Sequence, residues 1–117
     1  LFEEIRKSEK YTMVDLYADW CIACKELEKY TFTDSDVSKI LNSLNLVKFD
    51  ITETSEKNNK FLKDFKLFGP PVIMFFDKNG NEVRQSRIVG FVDSEQFIKK
   101  FNRIDKSLSK LNNNKSL

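Results

Sequence analysis

Histidine is absent from this sequence of 117 residues, and cysteine occurs only twice, at Cys21 and Cys24. A protein zinc site takes about four nitrogen, sulfur or carboxylate ligands, so one copy of the chain cannot complete the usual nitrogen-and-sulfur set. Covalent haem attachment asks for a histidine directly after the second cysteine of a C-x-x-C pair, and Lys25 stands there. Long apolar runs are missing too. The longest, Val72-Ile73-Met74-Phe75-Phe76, falls far short of the ~20 residues of a membrane-spanning helix. Neither sign of charge prevails: 20 basic and 18 acidic residues leave a net charge of +2, with no sustained basic face and no nucleic-acid motif. A solvated mixed-charge surface is expected, and nucleic acid is not an expected partner. Internal repeats are absent, and no linker is long enough to divide the chain.

Phenylalanine, by contrast, is plentiful. Eleven of them supply large buried area each, so the core is expected to be aromatic-rich. The length suits one domain. Leu1, Phe2 and Ile5 among charges predict a helix over Leu1–Lys10. Thr12–Ala18 reads as a central strand, apolar on both sides apart from Asp15. Cys21 to about Tyr30 has good helix formers without Gly or Pro. Thr33-Asp34-Ser35-Asp36 offers caps for a helix carrying Val37, Ile40, Leu41 and Leu44. A strand over Asn45–Ile51, parallel to the first, is followed by a helix over Ser55–Phe65 with Phe61, Leu62 and Phe65 inward. Gly69-Pro70-Pro71 stops the helical pattern before the strand Val72–Phe76. Asn79-Gly80 signals a hairpin returning over Val83–Val89. Asp93-Ser94 caps a last helix with the stripe Phe97, Ile98, Phe101, Ile104 and Leu108. These elements predict an α/β fold with a mixed central sheet of about four strands flanked by helices. One domain is expected over residues 1–111, with a polar, frayed tail over 112–117. The chain opens in a helical pattern rather than a signal-like stretch, so it reads either as a cytosolic protein or as a domain of a longer exported one.

The two cysteines stand where the first strand gives way to a helix. A purely structural bridge is a poor reading, because closing so short a loop removes little entropy from the unfolded chain. Redox chemistry remains. The order of elements, Trp20-Cys21-x-x-Cys24 after the first central strand, and a proline just before the hairpin together resemble the thioredoxin superfamily. More closely, the block from Tyr17-Ala18-Asp19-Trp20-Cys21 through Lys29-Tyr30-Thr31-Phe32, with Gly69-Pro70-Pro71-Val72-Ile73-Met74-Phe75-Phe76-Asp77 and Gly90-Phe91, is similar to the C-terminal periplasmic domains of the DsbD family of thiol:disulfide interchange proteins. The resemblance runs from roughly Val14 to Phe101. Where that family commonly has Leu-Pro-Thr, this chain has Pro70-Pro71-Val72, which keeps the proline and alters the rim of a partner groove.

The resemblance implies a thioredoxin-like fold and a protein-disulfide reductase whose only redox group is the Cys21–Cys24 pair, without cofactor or metal. It implies electrons arriving from a membrane-embedded dithiol domain of the same protein. They leave to that protein's N-terminal periplasmic domain, and from there to reductive pathways such as cytochrome c biogenesis. The location it implies is a periplasmic domain of an inner-membrane protein, monomeric when isolated. A free-standing thioredoxin-like oxidase or isomerase and a non-catalytic binding module of the same fold are the alternatives.

Cys21, at a helix start where orphan N–H groups favour a thiolate, is the expected nucleophile, and Cys24 the resolving thiol. Asp15 lies in a strand apolar on both sides, where a carboxylate is costly. It is either on a wet face or a buried acid, and the resemblance implies the second, with Asp15 exchanging the proton of Cys24. Glu28, four residues after Cys24, shares its helix face and is either part of this site or a surface acid paired with Lys25. A helix terminus stabilises a thiolate by about 0.3–2 kcal/mol. One carboxylate ~6 Å away at an effective dielectric of ~20 opposes it by roughly 2.8 kcal/mol. Cys21 is therefore expected to rest as a thiol and to be activated on docking. Ile22-Ala23 adds neither charge nor donor beside the sulfurs, which favours a reducing poise. Pro70 and Pro71 are expected at the groove, Pro71 in the cis form that the resemblance implies, against plain strand-start punctuation. Trp20 and Tyr17 are either part of the surface around the thiols or core packing, and Asp19 is a rim contact.

Overall fold

Strand β1 (Thr12–Tyr17) carries the rest of the fold. The computed structural model describes residues 10–115. The helix expected over Leu1–Lys10 lies almost wholly outside the described residues, and so does the side chain of Leu108. β1 pairs in parallel with β2 (Asn45–Asp50) and antiparallel with β3 (Val72–Phe76), which in turn pairs antiparallel with β4 (Ile88–Val89). The sheet order is β2-β1-β3-β4. The middle strands are apolar on both faces because both faces are covered. On one side Met13, Ile73, Phe75 and Ile88 pack with helix α2 (Ser35–Asn42) through Val37 and Leu41, and with helix α4 (Ser94–Lys115) through Phe97, Phe101 and Ile104. On the other, Val14, Leu16, Val72, Met74 and Phe76 share a cluster with both cysteines, and Phe49 and helix α3 (Glu56–Asp64) pack against it.

The phenylalanines divide between the two layers. Phe49 stacks on Phe61 at 4.1 Å, and Phe61, Phe65 and Phe76 continue the line at 4.6 and 6.3 Å. Phe32, Phe97, Phe101 and Phe75 form a second chain of rings on the opposite face. The helix starts are capped as the sequence suggests. Asp34 accepts from the N–H groups of Asp36 and Val37, and Ser55 from that of Asn58. Asp93 and Gln96 cap each other's backbone reciprocally at 2.8 and 3.0 Å.

Two elements differ from expectation. The helix after the cysteines is α-helical only over Ile22–Glu26 (α1) and then widens into a π-helical turn, Leu27–Thr31. The Phe32 N–H donates to the Leu27 carbonyl at 2.8 Å, and the buried Thr31 hydroxyl donates to the Val92 carbonyl at 2.6 Å, fastening the turn to the approach of α4. The returning strand expected over Val83–Val89 is reduced to β4 and an isolated bridge between Phe76 and Glu82, separated by a 3₁₀ turn over Arg84–Ser86. Here the Ser86 hydroxyl takes the Val83 carbonyl, a local bond that competes with a ladder. Arg87 is drawn into a pair with Glu82.

Candidate active site

β1 ends at Tyr17, and Ala18 starts the turn that delivers the cysteines, its carbonyl accepting from the Cys21 N–H at 3.0 Å. Cys21 is the N-cap of α1. It has extended backbone angles, and its sulfur accepts the Cys24 N–H at 3.1 Å, satisfying one of the orphan donors of a helix start. The two cysteines form a disulfide with Cα atoms 5.3 Å apart. Both are buried, Cys24 the more deeply, with its sulfur 3.9 Å from the Leu16 carbonyl oxygen. Ile22 between them is 75% exposed.

Asp15 precedes Leu16 in β1, in register with Lys48 on β2 and Ile73 on β3. Burial pushes its pKa up to about 7, and the nearby Glu28 carboxylate adds to the rise while the Lys48 ammonium opposes it. Glu28 therefore does lie within electrostatic reach of Asp15. Its ion-pair partner is Lys48, at 2.9 Å, rather than Lys25. The same ammonium lies 3.7 Å above the Tyr17 ring. Nothing in the alternation of β2 distinguishes Lys48 from a solvated edge residue.

Trp20 stands 63% exposed beside Cys21, whereas Tyr17 is only 7% exposed and packs in the cluster that holds both sulfurs. For Tyr17, burial favours core packing over the groove rim. Its hydroxyl donates to Asp19 at 2.9 Å. Thr52, just past β2, also goes unnoticed in the sequence. Its hydroxyl accepts the Asp19 N–H at 2.8 Å, its carbonyl accepts from Trp20 Nε1 at 3.2 Å, and it is tied in turn to Asp50. Pro71 follows Pro70 through a cis bond and leads into Val72, which pairs with Leu16. The segment before β3 thus reaches the same end of the sheet as the disulfide. It carries Phe68, fully exposed. Among the described residues no cluster of three or more His, Cys, Asp or Glu is placed to hold a metal ion, and no helix is long and apolar enough to cross a membrane.

A C-x-x-C disulfide at the start of a helix, laid on a mixed sheet with a proline entering the facing strand, defines the thioredoxin-like class of thiol–disulfide sites. The sequence profile of the thioredoxin-like domain matches residues 1–105. The DsbD thiol:disulfide interchange proteins of Actinobacillus pleuropneumoniae and Haemophilus ducreyi are 45% and 47% identical over 89% and 81% of this chain, which spans 18% and 17% of their length. The crystal structure of the oxidised C-terminal domain of Neisseria meningitidis DsbD superposes with a TM-score of 0.72 at 30% identity, covering 81% of this chain and 80% of that one. A Thermus thermophilus thioredoxin, 15% identical, shares the fold with a TM-score of 0.75 over 91% of this chain and 82% of its own. The chain belongs to the thioredoxin-like domain family and, within it, to the DsbD C-terminal domains. The expected fold class and kinship are borne out.

Proposed function

We propose that this chain is a thiol:disulfide reductase domain that takes electrons from a membrane-embedded dithiol domain and passes them to a periplasmic partner domain of the same protein. The observation that carries the reading is the Cys21–Cys24 pair at the start of α1, with Asp15, its pKa pushed up to about 7 chiefly by burial, one residue before the strand carbonyl that meets Cys24. In the reduced domain Cys21, as thiolate, attacks a partner disulfide. One partner sulfur leaves as thiolate, and a mixed disulfide forms. Cys24 then loses its proton to the ionised Asp15 carboxylate and attacks the Cys21 sulfur. The second partner sulfur leaves, and Asp15 returns the proton to it. Two electrons and two protons pass to the partner, the Cys24 proton by way of Asp15 and the proton that Cys21 gave up on docking to the first sulfur released, and this chain ends as the disulfide. The membrane-embedded dithiol restores the reduced pair by the same steps in reverse.

The carboxyls of Asp15 and Glu28 beneath the pair oppose a thiolate, so Cys21 rests as a thiol until a partner docks. Trp20, Ile22 and the Phe68-Gly69-Pro70-Pro71 segment form the docking rim. The domain is monomeric when isolated, works on the periplasmic side and needs no cofactor beyond its own disulfide. Equilibration with glutathione buffers followed by alkylation is expected to show the two sulfurs interconverting between joined and free forms. A pair that never interconverts sinks the proposal. With a partner disulfide, Cys24→Ser is expected to accumulate the mixed disulfide and Cys21→Ser none. The reverse pattern exchanges the two roles. Asp15→Asn and Glu28→Gln are each expected to lower the pH at which Cys21 reacts with iodoacetamide. An unmoved profile in both removes the carboxyls from the mechanism.

A further inference from the structure

The docking rim before β3 is held at both ends by one other segment, residues 82–90. At its near end the Arg87 guanidinium donates from Nη1 to the carbonyl of Phe65, the residue that ends α3, at 2.8 Å. Its Nε and Nη2 form a fork with the Glu82 carboxylate at 2.6 and 2.7 Å, and both side chains are largely withdrawn from solvent. At the far end the Gly90 N–H donates to the Pro71 carbonyl at 3.0 Å. Between these anchors the chain leaves α3 through Lys66 in the left-handed region (φ 55°), with the Leu67 N–H returning to the Leu62 carbonyl at 2.8 Å. Phe68, Gly69 and Pro70 then make no hydrogen bond among the described residues. Nothing local sets where they stand, so their position depends on the ends.

We infer that Arg87 is a positioning residue for partner docking: by gripping the last carbonyl of α3 while Glu82 holds its fork, it sets the segment that presents Phe68-Gly69-Pro70 beside the Cys21–Cys24 disulfide. Arginine suits the task because three of its donors act at once in a rigid plane, which a lysine cannot reproduce. The shortness of β4 belongs to the same device. Arg87 is turned away to the end of α3, and the ladder is left to Ile88 and Val89.

This inference rests on the reading of residues 68–71 as the rim a partner touches, and the test separates the two. The reduced chain is mixed in single turnover with insulin, a folded protein disulfide that must dock, and with bis(2-hydroxyethyl) disulfide, which needs only the sulfurs. Arg87→Gln is expected to lower kcat/KM toward insulin about tenfold, through KM, and to leave the small disulfide within about twofold. Glu82→Gln, which keeps one acceptor for the fork, and Arg87→Lys are expected to fall between, and they decide the matter if Arg87→Gln does not fold. Equal losses toward both disulfides, or an unchanged KM for insulin in the folded variants, would overturn the positioning role while leaving the exchange reaction standing. Failure of the unmodified chain to reduce either disulfide overturns the exchange reading and this proposal with it.

Discussion

Asp15 and Asp77 are both largely withdrawn from solvent, yet they meet opposite surroundings. Asp77 ends β3, and one of its carboxylate oxygens accepts the N–H groups of Asn79 and Asn81 at 2.9 and 3.0 Å, while its backbone closes the same turn with Gly80 and Asn81. Oriented backbone dipoles there do the work of water for the buried oxygen. Asp15 sits inside β1, and among the described residues no hydrogen-bond donor reaches its carboxyl. It has only an ammonium at a distance and another carboxylate. The same side chain is thus a staple in one place and a desolvated acid in the other. What separates them is the supply of donors.

Substitution with pH as the variable separates the two carboxyls most widely. Asp15 has its pKa raised from 3.8 to about 7 in the folded chain, so between those values the folded state holds a proton that the unfolded state has lost. Stability therefore is full below about pH 4, falls as pH rises toward 7 and is flat above it. Asp15→Asn removes this dependence. In the oxidised chain it is expected to stabilise at pH 8 by up to about 4 kcal/mol, roughly three pKa units from 3.8 to about 7, and to change little at pH 4. Denaturant melts at the two pH values measure it. A variant equally or less stable at pH 8 would show that Asp15 is not a desolvated acid.

Asp77→Ala is expected to do the reverse. It strands two backbone donors at a tight turn, a loss of about 1–3 kcal/mol. Thiol–disulfide exchange should be unchanged, because the turn lies at the far end of β3. Urea melts paired with insulin reduction test both halves, and a slowed exchange would contradict the separation of the two regions.

Much of this was legible before any coordinates. The two-sided apolar runs of β1 and β3, the helix caps at Asp34, Ser55 and Asp93, and the cysteine pair at a strand-to-helix junction are local patterns, and each carries its own physical reason. Asp15 was conspicuous because it interrupts such a run. The missing pieces are those that tertiary partners decide. The π-helical turn has no Gly or Pro to mark it and follows from where Thr31 finds the Val92 carbonyl. Val83–Val89 has the composition of a strand, and it is the Ser86 bond to the Val83 carbonyl and the contacts of Arg87 with Glu82 and with Phe65, 22 residues away in sequence, that accompany its loss. Tyr17 could be read as rim or core until its burial was known. Lys48 and Thr52 looked like an ordinary edge lysine and loop threonine, because the groups they hold come from another part of the chain.

Lys48 allows the finest adjustment, since among the described residues it is the one cation acting on Asp15. Its pair with Glu28 is about half exposed on both sides, so the contact itself contributes on the order of 1 kcal/mol or less. Its placement over the Tyr17 ring is worth a similar amount. Lys48→Met keeps the length of the side chain and removes the charge. The stability of the folded chain is expected to change little, but the pH at which the Asp15 carboxyl titrates should move above about 7, because the ammonium that opposed burial is gone and Glu28 is left without its partner. Direct observation of the Asp15 carboxyl by NMR across the titration checks the direction, and about 1 M salt, which shortens screening to about 3 Å, should shrink the difference between variant and unmodified chain. A midpoint that moves down would mean that Lys48 acts on Asp15 chiefly by holding Glu28 close, so that its loss lets the second carboxylate swing away.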